Sequence, residues 1–332
     1  MGAVLVTGGA GYVGSHAAKA LHEAGHEVVI LVNLMAGHRE AARGLPLIQG
    51  DIGDAAVVRD VIRRYCVTAV MHFAAFLDVG ESVKIPARYY WNNVVNTLSL
   101  LDAMVQEKVP HFVFSSTAAV YGNPHDTPVL ETHPTRPINA YGETKLAVER
   151  ALPHYERAYG LRSIRLRYFN AAGADASGKI GEDHRPEIHL IPRAIASTSG
   201  GPSLEIYGDD YATNDGTCVR DYVHVSDLGM AHVRALGVLE AGGSSAVYNI
   251  GSGRPCSVRE VVETVARVTG RPVPHTMSAR REGDPAVLFA SSQLARTALN
   301  WQPQYEDLKV IVETAWLWHR THPRGYASIA RT

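Results

Sequence analysis

Tyr141 and Lys145 are the pair of side chains in this sequence best suited to proton transfer. They lie four residues apart in Ala-Tyr-Gly-Glu-Thr-Lys, and positions i and i+4 of a helix share one face. A phenol titrates near pH ~10, and a neighbouring ammonium stabilises the phenolate and lowers that pKa. The pair therefore predicts a base that takes a proton from an alcohol, although the same spacing also occurs on ordinary solvated helix faces.

A glycine-rich loop at the start of the chain gives this pair a chemical context. Gly8, Gly11 and Gly14 follow the apolar run Val4–Val6 and precede the amphipathic stretch Ser15–Glu23. Glycines in a strand-loop-helix segment permit a tight turn and let the backbone approach a pyrophosphate at the positive end of the helix. A dinucleotide bound there can accept a hydride, so the loop and the pair together predict redox chemistry on a sugar-like alcohol.

The acidic residue that normally holds the adenosine ribose of such a dinucleotide is missing. It is expected at the end of the second strand, about 20 residues after the loop, where this chain has Val32 and then Asn33. Asn33 can hydrogen-bond the ribose, and a neutral site no longer repels the 2′-phosphate of NADP. No arginine follows until Arg39. We therefore predict NAD, held more weakly than an aspartate would hold it.

Composition excludes several other classes of function. The 332 residues carry 32 Lys and Arg against 33 Asp and Glu, so no strong field attracts nucleic acid or an acidic membrane. No apolar run approaches the ~20 residues of a membrane helix, and the first strand begins too early for a signal segment, so we expect a soluble protein. Cys66, Cys218 and Cys256 are too far apart to suggest disulfides or structural zinc, which fits the cytoplasm. The 16 histidines show no clustered ligand spacing, so no metal is assigned.

The order of apolar runs and amphipathic stretches predicts an α/β fold, a doubly wound parallel sheet of the Rossmann type. After about residue 170 the pattern loosens into segments rich in Gly, Asp, Ser and Pro. We predict a dinucleotide-binding domain over residues 1–170 and a smaller α/β substrate-binding domain over residues 171–332. Strand-like segments at about 219–250 are expected to return to the first domain.

Further motifs occur in order along nearly the whole chain. They are Gly50-Asp51-Ile52, His72-Phe73-Ala74-Ala75, Val79-Gly80-Glu81-Ser82, Asn92-Asn93, Ser115 to Gly122, Arg167-Tyr168-Phe169-Asn170, Gly216 to Tyr222 and Arg280-Arg281-Glu282-Gly283-Asp284. With the glycine loop and the Tyr-Lys pair, they make the chain resemble the extended short-chain dehydrogenase/reductase family, and within it the enzymes that epimerise UDP-sugars at the 4 position. The resemblance implies NAD-dependent interconversion of UDP-glucose and UDP-galactose through a 4-keto intermediate, in a homodimer.

The resemblance also implies roles for individual residues. The catalytic residues are Tyr141, Lys145 and Thr117. The cofactor-binding residues are Gly8, Gly11, Tyr12, Val13, Gly14, Asn33, Asp51, Ile52, Phe73, Ala74, Ala75, Asn92, Ser115, Tyr141, Lys145 and Tyr168. The substrate-binding residues are Thr117, Asn170, His189, Leu190, Tyr207, Arg220, Arg281 and Asp284. Among the substrate residues, Arg220 and Arg281 grip the pyrophosphate, Tyr207 faces the uracil and Asp284 holds the uridine ribose.

Several of these assignments have structural alternatives. Arg220 and Arg281 each adjoin an acidic residue and could form ordinary ion pairs. Thr117 could simply cap a turn, and Ser115 or Ser116 could share its role. Leu77 stands where some family members have a lysine near the cofactor, and His189 where asparagine can occur.

Other functions on the same fold are also open. Dehydratases need an acid pair just after the hydroxyl residue, where this chain has Ala118 and Ala119, so dehydration is disfavoured. A nucleotide sensor without turnover would not need the Tyr-Lys pair. Leu288 lies where side-chain size in the family is associated with acceptance of N-acetylated sugars, which predicts poor use of UDP-N-acetylglucosamine. UDP-pentoses and UDP-uronates remain alternatives. Dimer contacts are expected near Tyr89–Gln106 and Tyr141–Gly160.

Overall fold

A seven-stranded parallel sheet forms the centre of the fold, and the glycine loop follows its first strand. The computed structural model describes residues 2–281 and 284–328. Its strands are β1 (Val4–Thr7), β2 (Val28–Val32), β3 (Leu47–Gln49), β4 (Ala69–His72), β5 (His111–Thr117), β6 (Arg162–Tyr168), β7 (Asn170–Ala172), β8 (Leu204–Tyr207), β9 (Val219–His224), β10 (Ala246–Ile250), β11 (Pro255–Ser257), β12 (His275–Ser278) and β13 (Val287–Leu288). The large sheet has the order β10-β6-β5-β4-β1-β2-β3. Its central strands are buried on both faces, which explains their continuous apolar runs.

Helices cover both faces of this sheet. They are α1 (Tyr12–Glu23), α2 (Ala55–Arg64), α3 (Val79–Lys84), α4 (Pro86–Tyr89), α5 (Asn96–Gln106), α6 (Ala140–Tyr159), α7 (Leu190–Thr198), α8 (Val225–Glu240), α9 (Val258–Thr269), α10 (Gln293–Ala298) and α11 (Leu308–Thr321). A π-helical segment, Tyr90–Val95, joins α4 to α5. Helices α1 and α8 bury their apolar sides on one face, and α2, α5 and α6 bury theirs on the other. The predicted α/β fold with a doubly wound parallel sheet is confirmed.

Helix α6, which carries the Tyr-Lys pair, has the ends that its sequence indicates. The Asn139 side chain accepts a hydrogen bond from the Gly142 amide at 2.8 Å. Gly160 adopts a left-handed conformation with a φ of 73° and closes the helix. The first turn of α6 therefore begins at a defined point beside the end of β5.

The C-terminal part of the chain builds a smaller region beside the large sheet. Strands β7, β9, β11 and β13 form one sheet, and β8 pairs with β12 in another. Helices α7, α9 and α11 pack around an apolar cluster with these strands. Helix α8 and strand β10 lie instead with the first half of the chain, on α1 and beside β6. The boundary predicted at residue 170 remains a proposal.

The sequence did not predict the long helices α8 and α11, nor the short helices α3 and α10. Gly229 of α8 lies against α1, where an added Cβ would stand 3.0 Å from the carbonyl oxygen of His16. The close contact of these helices depends on residues far apart in the sequence. Among the described residues, no helix is long and apolar enough to cross a membrane.

Candidate active site

The glycine loop has the shape of a backbone cradle. Gly8 has a φ of +73°, and a Cβ there would lie 2.6 Å from the amide nitrogen of Ala74. A Cβ on Gly14 would lie 2.3 Å from the carbonyl oxygen of Gly8. Gly11 begins α1 without a side-chain cap, and no acidic residue lies in the first turn. This helix N-terminus fits the negative charge of a dinucleotide pyrophosphate.

Two residues of the loop face the protein. The Tyr12 hydroxyl donates to the carbonyl of Gly173 at 2.6 Å, and Tyr12 itself is buried. Val13 packs against the core cluster that includes α1 and α8. Their side chains hold the loop to its surroundings, so any contact with a cofactor falls to their backbone.

The end of β2 has no acidic residue of its own, but Asp51, which follows β3, lies next to it. Val32 is buried in the core, whereas the Asn33 side chain donates to Asp51 at 3.0 Å. The other Asp51 oxygen accepts from the Gly53 amide at 2.8 Å and from Asn96 at 3.3 Å. Asn33 and Asp51 therefore form one hydrogen-bonded polar unit beside the ends of β2 and β3.

The segment that follows β4 lies against the π-helical segment. Phe73, Ala74 and Ala75 follow β4 and are partly buried. The Asn92 amide donates to the side-chain oxygen of Asn93 at 2.9 Å. The same Asn93 oxygen accepts a hydrogen bond from the backbone amide of Phe76, also at 2.9 Å. Ile52 points away into the core on the opposite face of the sheet.

Where β5 ends, Lys145 is buried and Tyr141 is partly buried. Burial raises the pKa of the Tyr141 phenol, and a hydrogen bond with Thr117 opposes that rise. The Lys145 ammonium donates to the carbonyl oxygen of Ser115 at 2.8 Å. Burial lowers the pKa of Lys145 to about 7, against the attraction of Glu149. The structure thus brings the three predicted catalytic residues together, with Thr117 as the neighbour that lowers the pKa of the phenol.

Tyr168 completes the polar surroundings of this pair. Its hydroxyl is 2.6 Å from the Ser115 hydroxyl. Burial, and then the nearby Tyr141, raise the pKa of Tyr168 far above its ordinary value. Ser115 therefore contacts Lys145 through its carbonyl and Tyr168 through its side chain.

A buried ion pair below Lys145 was missed by the sequence analysis. Glu149 lies one turn after Lys145, and its carboxylate is 2.5 Å from the Arg167 guanidinium. Ser116 donates to the same carboxylate, and Arg167 also donates to the Tyr121 hydroxyl at 2.9 Å. In the sequence, only the four-residue spacing between Lys145 and Glu149 indicated that the two side chains would lie on one face of α6. Its charge helps Lys145 to keep a proton.

Thr117 has a second role at the end of β5. Its hydroxyl accepts a hydrogen bond from the Ala119 amide at 3.1 Å and caps the short 3-10 turn Ala118–Tyr121. Ala118 is buried. The turn places two methyl groups, and no proton donor, directly after Thr117.

The predicted phosphate-binding side chains lie on β9 and on the segment before β13. Arg220 donates to the carbonyls of Val219 at 2.9 Å and Pro285 at 2.8 Å, and it lies 3.5 Å from the Asp284 carboxylate. Leu288 pairs with Arg220 in the strand register. Asp221 is the acidic neighbour of Arg220 in the sequence. Its carboxylate accepts instead from the backbone amides of Ser252 and Gly253, in the loop after β10.

The remaining substrate-site candidates lie at three separate places. The Arg281 guanidinium stacks on the Tyr207 ring, 3.8 Å from its centre, whereas Glu282 lies outside the described residues. Asn170 donates from its side chain to the carbonyl of Asp221 at 2.9 Å. His189 is the N-cap of α7 and Leu190 its first residue, and the His189 ring contacts Glu182 and Glu187.

A glycine loop after the first strand of a parallel sheet, and a Tyr-Lys pair at the end of another strand of that sheet, define a dinucleotide-dependent enzyme that acts on alcohols. Sequence comparison gives the family: the NAD dependent epimerase/dehydratase family matches residues 4–251. The chain belongs to this family.

Individual relatives cover the chain almost completely. It is 49% identical to the UDP-glucose 4-epimerase of Halalkalibacterium halodurans, over 98% of both chains. The UDP-glucose 4-epimerase of Brucella ovis, solved in complex with NAD, is 49% identical with a TM-score of 0.93, over 95% of this chain and 98% of that one. The enzyme of Stenotrophomonas maltophila, solved with NAD and formylated UDP-arabinopyranose, is 40% identical with a TM-score of 0.94, over 98% and 99% of the chains. The predictions of a 4-epimerase and of NAD as cofactor are confirmed.

Proposed function

We propose that this protein interconverts UDP-glucose and UDP-galactose, with Tyr141 as the group that takes and returns the proton of the sugar 4-hydroxyl. The observation that carries the proposal is the partly buried Tyr141 beside Thr117 at the end of β5, with the buried Lys145 one turn later on the same helix. The glycine loop, Asn33 and Asp51 would hold NAD, which would supply the hydride acceptor and donor for carbon 4. The sugar leaves with inverted configuration at carbon 4 and no net oxidation.

The protein residues carry the proton side of this cycle. Thr117 and Tyr141 bind the 4-hydroxyl between them, and Tyr141 takes its proton as carbon 4 becomes a ketone. Burial disfavours the phenolate, so its formation depends on positive charge brought close to it. Lys145, held by the Ser115 carbonyl and attracted by Glu149, supplies one such charge. In the second half of the cycle Tyr141 returns the proton to the oxygen.

The nucleotide is held while the sugar turns over. Arg220 and Arg281 bind the diphosphate, Tyr207 faces the uracil and Asp284 binds the uridine ribose. Arg220 is occupied by backbone carbonyls that phosphate oxygens can replace, because a guanidinium forms stronger hydrogen bonds with an anion than with a neutral carbonyl. Asn170 orients the sugar nucleotide, and His189 and Leu190 stand at the start of α7 on the substrate side.

Ala118 and Ala119 disfavour a dehydratase on this fold. Elimination of water from the keto sugar needs a proton donor and acceptor after Thr117, and alanine provides neither. Leu288, paired with Arg220 on the edge of the smaller sheet, is intermediate in size, which supports poor acceptance of UDP-N-acetylglucosamine.

A homodimer is the proposed assembly. An apolar helical surface, made of Val83, Tyr90, Trp91 and Val95, is exposed near the N-terminal half of the predicted contact region. Val83 and Tyr90 line one surface groove, and Trp91 and Val95 line another. Trp91 is 67% exposed and Val83 64% exposed, and exposed apolar patches often mark contacts with another protein. A second copy of the chain would cover this surface. We also propose a cytoplasmic location, where NAD and reduced thiols occur together.

The test is conversion of both sugars by matched variants. The purified protein is incubated with UDP-glucose or UDP-galactose, with and without added NAD, and the products are separated by chromatography. Tyr141→Phe removes the proposed base, and Tyr159→Phe changes an exposed tyrosine on the same helix. We expect conversion in both directions by the parent and by Tyr159→Phe, and a loss of about 100-fold or more in Tyr141→Phe. Full activity of Tyr141→Phe would contradict the assignment.

A further inference from the structure

We propose that Glu182, His184, Glu187 and His189 bind one zinc ion between their side chains. All four lie in the loop that connects β7 to α7. One ligand atom from each residue lies within 4.8 Å of the other three. The sequence analysis found no clustered ligand spacing and assigned no metal, so it missed the segment Glu-x-His-x-x-Glu-x-His. The four residues are called the Glu-His cluster below.

The separations within the Glu-His cluster bracket those of tetrahedral ligands: the His189 Nδ1 makes a direct contact with the Glu182 carboxylate, and the other imidazole–carboxylate pairs are wider. The His184 Nδ1 is 3.0 Å from the Glu182 carboxylate and 3.7 Å from that of Glu187. The His189 Nδ1 is 3.5 Å from the Glu187 carboxylate. Zinc bonds to nitrogen and oxygen of about 2.0–2.2 Å place tetrahedral ligands about 3.3–3.5 Å apart. Small side-chain movements would therefore centre an ion among the four atoms.

The set of donor atoms favours zinc among common metal ions. Two imidazole nitrogens are poor ligands for Mg²⁺ and Ca²⁺, which select oxygen, whereas they suit zinc and its neighbours. Two carboxylates neutralise a divalent ion, so the occupied site carries no net charge. Four protein ligands leave no open position, which is typical of a structural site and not of a catalytic one.

The surrounding structure holds the ligands in place. The backbone carbonyl of Glu182 accepts a hydrogen bond from the Trp318 indole at 2.9 Å, and the Glu182 side chain is only 4% exposed. The Glu187 carboxylate accepts from the His189 amide at 3.0 Å. The His184 ring meets the edge of the Tyr12 ring. The loop is thus fixed to α11 on one side and to the glycine-loop helix on the other before any ion binds.

A zinc ion here would order the substrate side of the cleft without entering the reaction. It would connect His189, the residue just before α7, to a loop that contacts α11 and α1. Ligation through Nδ1 of His189 leaves Nε2 as the nitrogen that can donate to a ligand. The site is independent of the proposed 4-epimerase activity, so its test uses metal content and not turnover. The alternative is a network of imidazole–carboxylate ion pairs that binds no metal.

The experiment measures zinc binding to untagged protein. The parent is stripped with a chelator, incubated with zinc chloride and desalted, and its zinc content is measured by mass spectrometry. Affinity is then determined in competition with a chromophoric chelator for the parent, His184→Ala, Glu187→Gln and the control His154→Ala, whose side chain is exposed on α6. We expect about one zinc per chain in the parent and the control, and binding at least about 100-fold weaker in the two cluster variants.

Two further measurements remove ambiguity. Circular dichroism checks that each variant is folded, and substitution of the parent with Co²⁺ reports coordination directly, independently of any variant. Intense visible absorption typical of four-coordinate Co²⁺ supports the site. Zinc content below about 0.1 per chain in the loaded parent, or equal affinity in parent and cluster variants, would show that the Glu-His cluster is an ion-pair network.

Discussion

The Lys145 ammonium donates a hydrogen bond to the Ser115 carbonyl at 2.8 Å, across the gap between α6 and β5. This contact fixes the charge behind the Tyr141 phenol, while Thr117 makes the hydrogen bond that favours the phenolate. The sequence analysis expected Lys145 to act on Tyr141 as its direct neighbour. In the structure Thr117 is the group that lowers the pKa of the phenol. Lys145 is a buried amine whose own pKa is lowered to about 7.

Replacing Lys145 with methionine is expected to flatten the alkaline pH dependence of stability in the nucleotide-free protein. The pKa of Lys145 is lowered to about 7 by burial, against about 10.4 in the unfolded chain. Between these values the unfolded chain binds more protons, so stability rises with pH, and below pH 7 the difference in protonation vanishes. Urea unfolding at pH 7 and pH 9 measures the effect.

The comparison needs a lysine that is not buried. Lys309→Met changes an exposed residue of α11 and should leave the parent's pH dependence intact. If Lys145→Met and Lys309→Met respond to pH in the same way, the depressed pKa of Lys145 is refuted.

Glu149→Gln is expected to destabilise the fold strongly. The change leaves the buried Arg167 guanidinium without its partner at 2.5 Å, and an uncompensated buried charge costs about 3–5 kcal/mol. The matched control is Glu143→Gln on the same helix, whose exposed pair with Arg150 spans 3.6 Å. An exposed pair contributes about 0–1 kcal/mol. Chemical denaturation of the two variants should differ clearly, and equal stability would contradict the role given to Glu149.

Asp51→Asn is expected to weaken NAD binding about tenfold, equivalent to about 1.4 kcal/mol. Asp51 accepts from Asn33 and from Gly53, and it supplies the only charge in that polar unit. Titration of nucleotide-free protein by calorimetry gives the affinity. Asp60→Asn, on the exposed side of α2, is the control and should bind NAD like the parent. An unchanged affinity in Asp51→Asn would remove Asp51 from the adenosine site.

Trp91→Glu is expected to convert a dimer into monomers. A charge in the middle of the apolar helical surface would have to be buried without a partner if two copies met there. Light scattering after gel filtration gives the mass directly. Met277→Glu places the same charge on β12, where the side chain is 40% exposed, and should leave the mass unchanged. A dimeric Trp91→Glu variant, or a monomeric parent, would exclude this interface.

Local signals in the sequence predicted the elements that carry the reaction. The glycine loop, the N-cap at Asn139 and the glycine at 160 are interactions between near neighbours, so they can be recognised without the fold. The resemblance then named Asp51, Arg220 and Arg281 from motifs.

Contacts between distant segments could not be recognised in this way. The pairing of Glu149 with Arg167 joins a helix to a strand, and the link from Asn33 to Asp51 joins two strand ends. Val32, at the position where an acidic residue was expected, is buried in the core, so a change of Val32 to aspartate would cost stability. The Glu-His cluster formed no known motif, and only the folded loop brings its side chains together.

The central claim is that a hydride leaves carbon 4 of the sugar and returns to the opposite face of the same carbon. UDP-galactose deuterated at carbon 4 tests it directly, by mass spectrometry of the UDP-glucose formed in ordinary water. The account predicts that the product keeps its deuterium at carbon 4, because a hydride carried by a bound nucleotide does not exchange with solvent. Loss of the deuterium to water would mean that carbon 4 is inverted by proton abstraction, and it would contradict the account.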